Sequence, residues 1–125
     1  MAAPSVTENS AANADASASL AASASRTFDV DFRSKFGGEI QIKLTGGGTV
    51  AGTNGLKVEW FLNNGTASQV DTKARGSFII PAVVSQTDYQ SFALPTGRWR
   101  VKLTNLDASN AVTASATTTT IDSIA

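Results

Sequence analysis

The stretch Arg98-Trp99-Arg100-Val101-Lys102-Leu103 alternates strictly between basic and apolar residues. Successive side chains of a β-strand point to opposite faces of a sheet. The alternation therefore predicts a strand with Trp99, Val101 and Leu103 in a core and its basic residues on the surface. No ten-residue window after residue 25 has a helical period, so the stretch belongs to an all-β domain.

Similar alternation recurs at intervals of roughly ten residues, a spacing typical of a sandwich or barrel. Strands are predicted at 28–32, 40–44, 56–62, 66–73, 77–80, 89–94 and 111–121, separated by turns at 46–48, 52–55 and 63–65. The fold class predicted for residues 26–125 is one antiparallel β-sandwich of seven to nine strands. Its predicted core comprises Phe28, Val30, Ile40, Ile42, Val58, Trp60, Val101 and Leu103.

Residues 1–25 have a different composition, because Ala and Ser occupy sixteen of the twenty-five positions. After Val6, the one large apolar residue of this segment is Leu20. Such a segment buries too little apolar surface to offset its loss of chain entropy. We therefore predict an extended N-terminal arm, either disordered in the free protein or ordered on a partner.

Composition excludes several kinds of chemistry. The sequence has no cysteine and no histidine, and its formal net charge is zero. The commonest general base, the commonest metal ligands and thiolate nucleophiles are therefore missing. We predict no enzymatic activity, no cofactor, no metal site and no nucleic-acid partner. We expect no membrane association, because no apolar span is visible. We also expect the protein to be made in a cytoplasm, because no signal peptide is visible.

Asp29 and Asp31 lie on one face of a predicted strand, with carboxylates about 7 Å apart by strand rise. Paired acids at such a spacing can hydrolyse glycosides. However, the alternation places them opposite Phe28, Val30 and Phe32, on the solvent side. A solvated strand face is the favoured interpretation of this pair.

Arg98, Arg100 and Lys102 form a basic row on one face of their strand. Such a row can contact phosphates or an acidic partner, or it can be neutralised by acids on a neighbouring strand, such as Glu59. Neutralisation is the favoured alternative. No aromatic residue shares this face, so a contact with another subunit is a better functional interpretation than nucleic-acid binding.

The final predicted strand is rich in threonine and has no proline or charge between Val112 and Ile121. An unprotected edge of this kind can pair with another chain. Thr118 and Thr120 are therefore candidate partner-binding residues at such an edge. Leu20 and Arg26, in the arm and at its end, complete the predicted partner-binding set with the basic row.

Three segments resemble the fibronectin type III and immunoglobulin-like family, and one of them, residues 105–110, corresponds to the turn into the last strand. Residues 56–60, LKVEW, are similar to its third strand, in which a tryptophan anchors the core, and residues 94–101, LPTGRWRV, are similar to its turn and sixth strand. The family usually has a tyrosine where this chain has Trp99. Trp99 cannot make that tyrosine's hydroxyl bond, although its indole N–H can donate one.

The sequence also resembles small structural proteins of tailed bacteriophages. The similarity lies in the Ala/Ser-rich arm, the cysteine-free sandwich and the segments 77–82, 94–97 and 103–107. It implies a virion protein, with capsid decoration (cement) as the first expectation and a tail or tail-tip component as the second. The implied partners are other virion subunits, the major capsid protein or tail proteins, and further copies of itself. A carbohydrate- or surface-binding module is the alternative, although Trp60 and Trp99 are expected in the core.

Overall fold

The structure is a computed structural model that describes residues 5–47, 55–63 and 70–123. Alternating apolar and polar residues form nine strands within these ranges. Among the same residues, no helix has the length and apolar content to cross a membrane. The strands are β1 (Ser5–Thr7), β2 (Asp15–Leu20), β3 (Ser25–Asp31), β4 (Gly38–Gly46), β5 (Gly55–Leu62), β6 (Gly76–Pro81), β7 (Thr87–Leu94), β8 (Arg98–Asn105) and β9 (Val112–Ser123).

The strands form two antiparallel sheets that pack face to face. One sheet has the order β1-β9-β4-β7, with β2 also paired to β9, and the other has the order β3-β8-β5-β6. The predicted all-β sandwich of seven to nine strands is confirmed. Its order is that of a jelly roll, in which most consecutive strands lie in different sheets; the exceptions are β1 with β2 and β5 with β6. The immunoglobulin order differs, because it places the first two strands side by side in one sheet.

The core lies between the sheets and contains the residues that the alternation predicted. Val30, Ile40, Ile42, Val58, Val101 and Leu103 have no exposed surface. Phe28 and Trp60 are partly buried against this cluster. Burial of such aliphatic side chains is the main stabilising contribution to a fold of this kind.

The N-terminal segment differs from the predicted arm, because residues 5–20 are part of the sandwich. β2 pairs with the first half of β9 from Leu20↔Val112 to Asp15↔Ala116, and β1 pairs with its second half. A 3-10 turn at Ala11–Asn13 joins the two strands. Backbone hydrogen bonds to β9 hold a segment that has few apolar side chains of its own. The predicted domain boundary between residues 25 and 26 falls at the start of β3.

Some predicted features lie outside the described residues. These are the glycine-rich turns at 48 and 52–54, positions 64–65 of the predicted turn, and residues 66–69 of the predicted polar strand. The remainder of that strand forms no ladder, although Val70 makes an isolated bridge with Asn63.

Candidate functional site

The predicted basic row lies on the charged face, which we define as the outer surface of the β3-β8-β5-β6 sheet. The pairing of β3 with β8 sets Asp29 opposite Arg100 and Asp31 opposite Arg98. Arg100 Nε donates to Asp29 Oδ1 at 2.8 Å, and Arg98 Nη2 lies 3.5 Å from Asp31 Oδ2. The row is therefore largely neutralised, by β3 rather than by Glu59.

Ion pairing lowers the pKa of one carboxyl group of this face. The hydrogen bond from the Arg33 side chain lowers the pKa of Asp31 far below its ordinary value, and Arg33 Nη2 lies 2.7 Å from Asp31 Oδ2. Arg100 donates the same kind of bond to Asp29, and this bond raises the pKa of the Arg100 guanidinium. A carboxyl group with a lowered pKa is a poor general acid at neutral pH, so Asp31 is unsuited to that role. Both carboxylates of the pair are bound by arginines on the surface of the sheet.

Lys102 differs from the two arginines of the row. It lies opposite Thr27 of β3 and Glu59 of β5, but Glu59 contacts Lys57 at 3.7 Å. Among the described residues Lys102 has no ion-pair partner. One unpaired ammonium group is too little positive charge to attract a polyanion. The charged face is consequently a weak candidate for nucleic-acid or acidic-partner binding.

Leu20 and Arg26 anchor the N-terminal segment to the sandwich. Leu20 is 4% exposed and belongs to the core cluster. Arg26 Nη2 lies 2.8 Å from both Asp15 Oδ2 and the Ala114 carbonyl oxygen. The guanidinium group thereby joins β2, β3 and β9. Leu20 is therefore buried inside the sandwich and Arg26 is engaged within the chain, so neither lies on a free arm; partner binding by Arg26 stays a prediction.

Thr118 and Thr120 are also buried, with 1% and 2% of their surfaces exposed. Thr118 Oγ1 donates to the Asn13 carbonyl oxygen at 2.7 Å, and Thr120 Oγ1 donates to Asp122. β9 has β4 on one side and β1 with β2 on the other, so it has no open edge. The predicted docking edge is wrong because the N-terminal segment already covers it.

Both tryptophans pack inward, as the alternation predicted: Trp99 is buried in the core, and Trp60 is partly buried against it. Trp60 stacks on Phe92 with ring centroids 4.6 Å apart. Trp99 is 7% exposed, and its indole N–H donates to the Pro95 carbonyl oxygen at 3.1 Å. This bond fixes the indole against the turn that precedes β8. Neither indole is placed to stack on a sugar.

One side of the sandwich, which we call the open edge, comprises β6, β7 and the connection between them. Among the described residues, four of the seven exposed large apolar residues lie on it: Ile79 (53%), Val83 (39%), Val84 (48%) and Tyr89 (57%). Ile79 lies beside Lys57 on the outer face of its sheet and Tyr89 beside Lys43 on the outer face of the other sheet, with Val83 and Val84 on the connection. Exposed apolar side chains grouped along one edge indicate an interaction site more than scattered ones do.

Both strands of the open edge end their sheets, so each has one row of backbone groups without a neighbouring strand among the described residues. β6, with sequence GSFIIP, has no charged residue to protect it. Backbone bonds from Ser85 N to the Gly47 oxygen and from Gly46 N to the Gln86 oxygen fix the connection. Val83 and Val84 are therefore presented by an ordered loop.

The open edge was partly visible in the sequence. The sequence predicts the uncharged strand at 77–80, which is the central part of β6. Nothing local showed that β6 and β7 end their respective sheets, because strand order depends on pairing between distant segments. The pairing of distant strands places these residues together at the edge of the sandwich.

The described geometry defines a β-sandwich with one charged face, whose arginines and aspartates are ion-paired, and one open edge with exposed apolar side chains.

Neither a protein-family model nor a curated protein sequence matches the chain. Solved structures match it at the level of the fold. One is a subunit of Bacillus endospore appendages, a family of disulfide-linked pili, with 9% identity, a TM-score of 0.52 and coverage of 99% of this chain and 93% of the pilus chain.

Two further structures resemble the chain to a similar degree. PirA is 11% identical, with a TM-score of 0.53 over 84% of this chain and 92% of PirA. The enzymatically active domain of tailspike protein 4 from bacteriophage CBA120 is 11% identical, with a TM-score of 0.53 over 97% of this chain. This chain spans 18% of that tailspike chain. At such identities the similarity establishes a shared β-sandwich fold and no shared activity.

Proposed function

We propose that the protein is a non-enzymatic structural subunit of a tailed-phage particle that binds neighbouring subunits through its open edge. The first role that we propose is capsid decoration, and the second is that of a tail or tail-tip component. The observation that carries the proposal is the concentration of exposed apolar residues on the open edge. An uncharged end strand flanked by exposed apolar side chains is suited to contact another protein, because it offers both backbone hydrogen bonds and apolar area.

The structural comparisons are compatible with such a role. Two of the similar structures come from a pilus and from a phage tailspike. Because this sequence has no cysteine, subunit contacts made by it would contain no disulfide, unlike those of a disulfide-linked pilus. Many weak contacts repeated over a symmetric particle give strong attachment through avidity. Major capsid protein, tail proteins and further copies of the chain are the proposed partners, and the virion is the proposed location.

A matched pair of substitutions tests the open edge. Ile79 and Val6 are each 53% exposed, but Ile79 lies on β6 and Val6 lies on β1, at the other end of its sheet from β7. Ile79→Lys places a charge in the proposed contact, and Val6→Lys places the same charge away from it. Circular dichroism first verifies that both variants fold.

The readout is the amount of each variant in purified particles from cells that carry the gene, measured by quantitative mass spectrometry. We expect the Ile79→Lys variant to be depleted at least about tenfold, the effect of losing roughly 1.4 kcal/mol of binding, and the Val6→Lys variant to remain. Heads and tails separated from the same particles distinguish the two roles. Equal incorporation of both variants, or absence of the wild-type protein from particles, would refute the proposal.

A further inference from the structure

The outer face of the other sheet contains a concave depression of about 290 Å³, which we call the polar cavity. It lies over the middle of β9, β4 and β7 and is bounded on one side by the residues that follow β1. Every residue that lines it is polar: Glu8, Asn9, Glu39, Gln41, Ser91, Thr117 and Thr119.

The register of three strands builds the floor of the polar cavity. Gln41 of β4 has Thr117 of β9 on one side and Ser91 of β7 on the other. One row away, Glu39 lies beside Thr119. The side chains at alternate positions of each strand project from the same face. The floor is therefore a continuous array of amide, hydroxyl and carboxylate groups.

The N-terminal segment supplies the wall. Glu8 and Asn9 follow β1 directly, and Asn9 adopts a φ of 51°. Asparagine tolerates this left-handed conformation better than most residues, because its short polar side chain can bond locally. The turn directs the chain from β1 toward Ala11–Asn13, and Ser10 N is fixed to the Thr118 carbonyl oxygen at 2.8 Å. The wall is thus tied to the same strand that contributes Thr117 and Thr119.

The side chains of the polar cavity have unused hydrogen-bonding capacity. Among the described residues none of the seven makes a side-chain hydrogen bond or an ion pair. The charged face is the opposite case, because Asp29 and Asp31 are bound by arginines. Amide and hydroxyl groups both donate and accept, and carboxylates accept. A ligand that fills this cavity must offer several donors and acceptors at close spacing.

The charge of the polar cavity selects among such ligands. Glu8 and Glu39 make it negative, and the nearest cation on the floor strand is Lys43, two residues beyond Gln41 and about 7 Å away by strand rise. Phosphates and acidic sugars are disfavoured by this charge. Apolar ligands are disfavoured because they leave the polar lining desolvated and unpaired.

An aromatic ring borders the floor. Tyr89 of β7 lies directly opposite Lys43 on the same outer face, and it is 57% exposed. The flat face of a phenol ring packs against the C–H face of a sugar while the polar groups beside it bind the sugar hydroxyls. Polar cavity and ring together fit a chain of sugars longer than one residue.

We propose that the polar cavity binds a neutral glycan, with Gln41, Ser91 and Thr117 bonding its hydroxyl groups and Tyr89 supporting the adjoining sugar. The inference goes beyond the proposed subunit role, because an isolated molecule can bind a glycan whether or not it enters a particle. Failure to bind glycans would leave the open-edge proposal unaffected, and loss of incorporation by Ile79→Lys would not depend on glycan binding.

The test combines a glycan array with titration of the full chain. Wild-type protein is applied to an array of neutral and acidic oligosaccharides, and the strongest neutral binder is then titrated while backbone amide signals are followed by NMR. We expect neutral glycans to be preferred and the shifts to centre on residues 39–43, 89–91 and 117–119.

Substitutions verify the position of the site. Thr117→Ala and Gln41→Ala should each weaken binding by about 3- to 10-fold, the loss expected for one hydrogen bond. Thr113→Ala is the matched control, because Thr113 is an exposed threonine on the same face of β9 but outside the polar cavity. The proposal is overturned if no neutral glycan on the array binds, if acidic glycans are preferred, or if Thr113→Ala weakens binding as much as Thr117→Ala.

Discussion

The side-chain oxygen of Asn13 accepts a hydrogen bond from the backbone N–H of Asp31 at 2.8 Å. The carbonyl oxygen of Asn13 also accepts from Thr118 Oγ1, and its side-chain nitrogen donates to Ser10 Oγ. Asn13 is 7% exposed, so these bonds are shielded from water. One residue of the predicted arm therefore connects the N-terminal segment to both sheets.

Replacement of Asn13 by alanine should destabilise the sandwich. The change removes the acceptor for the Asp31 N–H and the donor to Ser10, so we expect the free energy of unfolding to fall by about 1–3 kcal/mol. Chemical denaturation measures the change. Ser17→Ala is the control, since Ser17 is exposed on β2, and it should alter stability by less than about 0.5 kcal/mol. Equal stability of the two variants would show that Asn13 does not hold the segment.

Deletion of residues 1–25 should prevent folding rather than release a free arm. The deletion removes β1 and β2, leaves β9 as an unprotected edge and exposes the apolar residues that Leu20 covers. We expect an aggregated chain with little near-ultraviolet circular dichroism. Deletion of residues 1–4 is the control and should yield a folded protein. A monomeric, folded product of residues 26–125 would instead support the original arm interpretation.

Asp122 makes stability depend on pH at the end of the sandwich where β1 meets β9. Hydrogen bonds from Thr7, Lys35 and Thr120 lower the pKa of Asp122 from 3.8 to about 2. Between these values the unfolded chain binds more protons than the folded one, so stability rises with pH. The contribution of Asp122 is fully present above its ordinary pKa and is lost as the pH falls through about 2.

Asp122→Asn should accordingly be less stable than the wild type at neutral pH, with the difference narrowing as the pH falls from about 4 to about 2. Thermal unfolding midpoints across this range measure the effect. Some pH dependence remains in the variant, because the pKa of Asp31 is also lowered. Glu8→Gln removes an acid with no partner among the described residues and should change the midpoint little. A pH-independent difference between Asp122→Asn and wild type would contradict this account.

Most of the strands could be predicted because their burial pattern is local. In β8 the apolar residues Trp99, Val101 and Leu103 face inward and the basic residues face outward, as the alternation alone indicates. Such predictions need only the residues within one strand, because the two-residue period of a strand decides which side chains face the core. The bond from the Trp99 indole N–H to the Pro95 oxygen was open at the level of the sequence, which showed only that the indole could donate such a bond.

The role of the N-terminal segment could not be predicted from local patterning. β2 has the sequence DASASL, which gives one core side chain, Leu20. Its stability comes from backbone bonds to β9, nearly 100 residues further along the chain, and from Arg26 binding Asp15. The wrong prediction for Thr118 and Thr120 has the same origin, because the strand that covers them was assigned to the arm.

The strand order and the charge pairs share this dependence on distant pairing. Short alternating strands are common to all sandwiches, so the jelly-roll order could not be distinguished from the immunoglobulin order. The basic row was expected to find acids on a neighbouring strand, but only the register of β3 identifies Asp29 and Asp31 as those acids. The polar cavity was not foreseen, because Gln41, Ser91 and Thr117 meet only across three strands.

The position of β9 has a consequence for synthesis of the protein. A ribosome releases β1 and β2 first, yet their pairing partner is made after the eight other strands. The first sheet therefore cannot close until residues 112–123 have left the exit tunnel, and the early strands must wait without their backbone partner. Their Ala- and Ser-rich composition limits aggregation during this unpaired period, because a segment with few apolar side chains aggregates slowly.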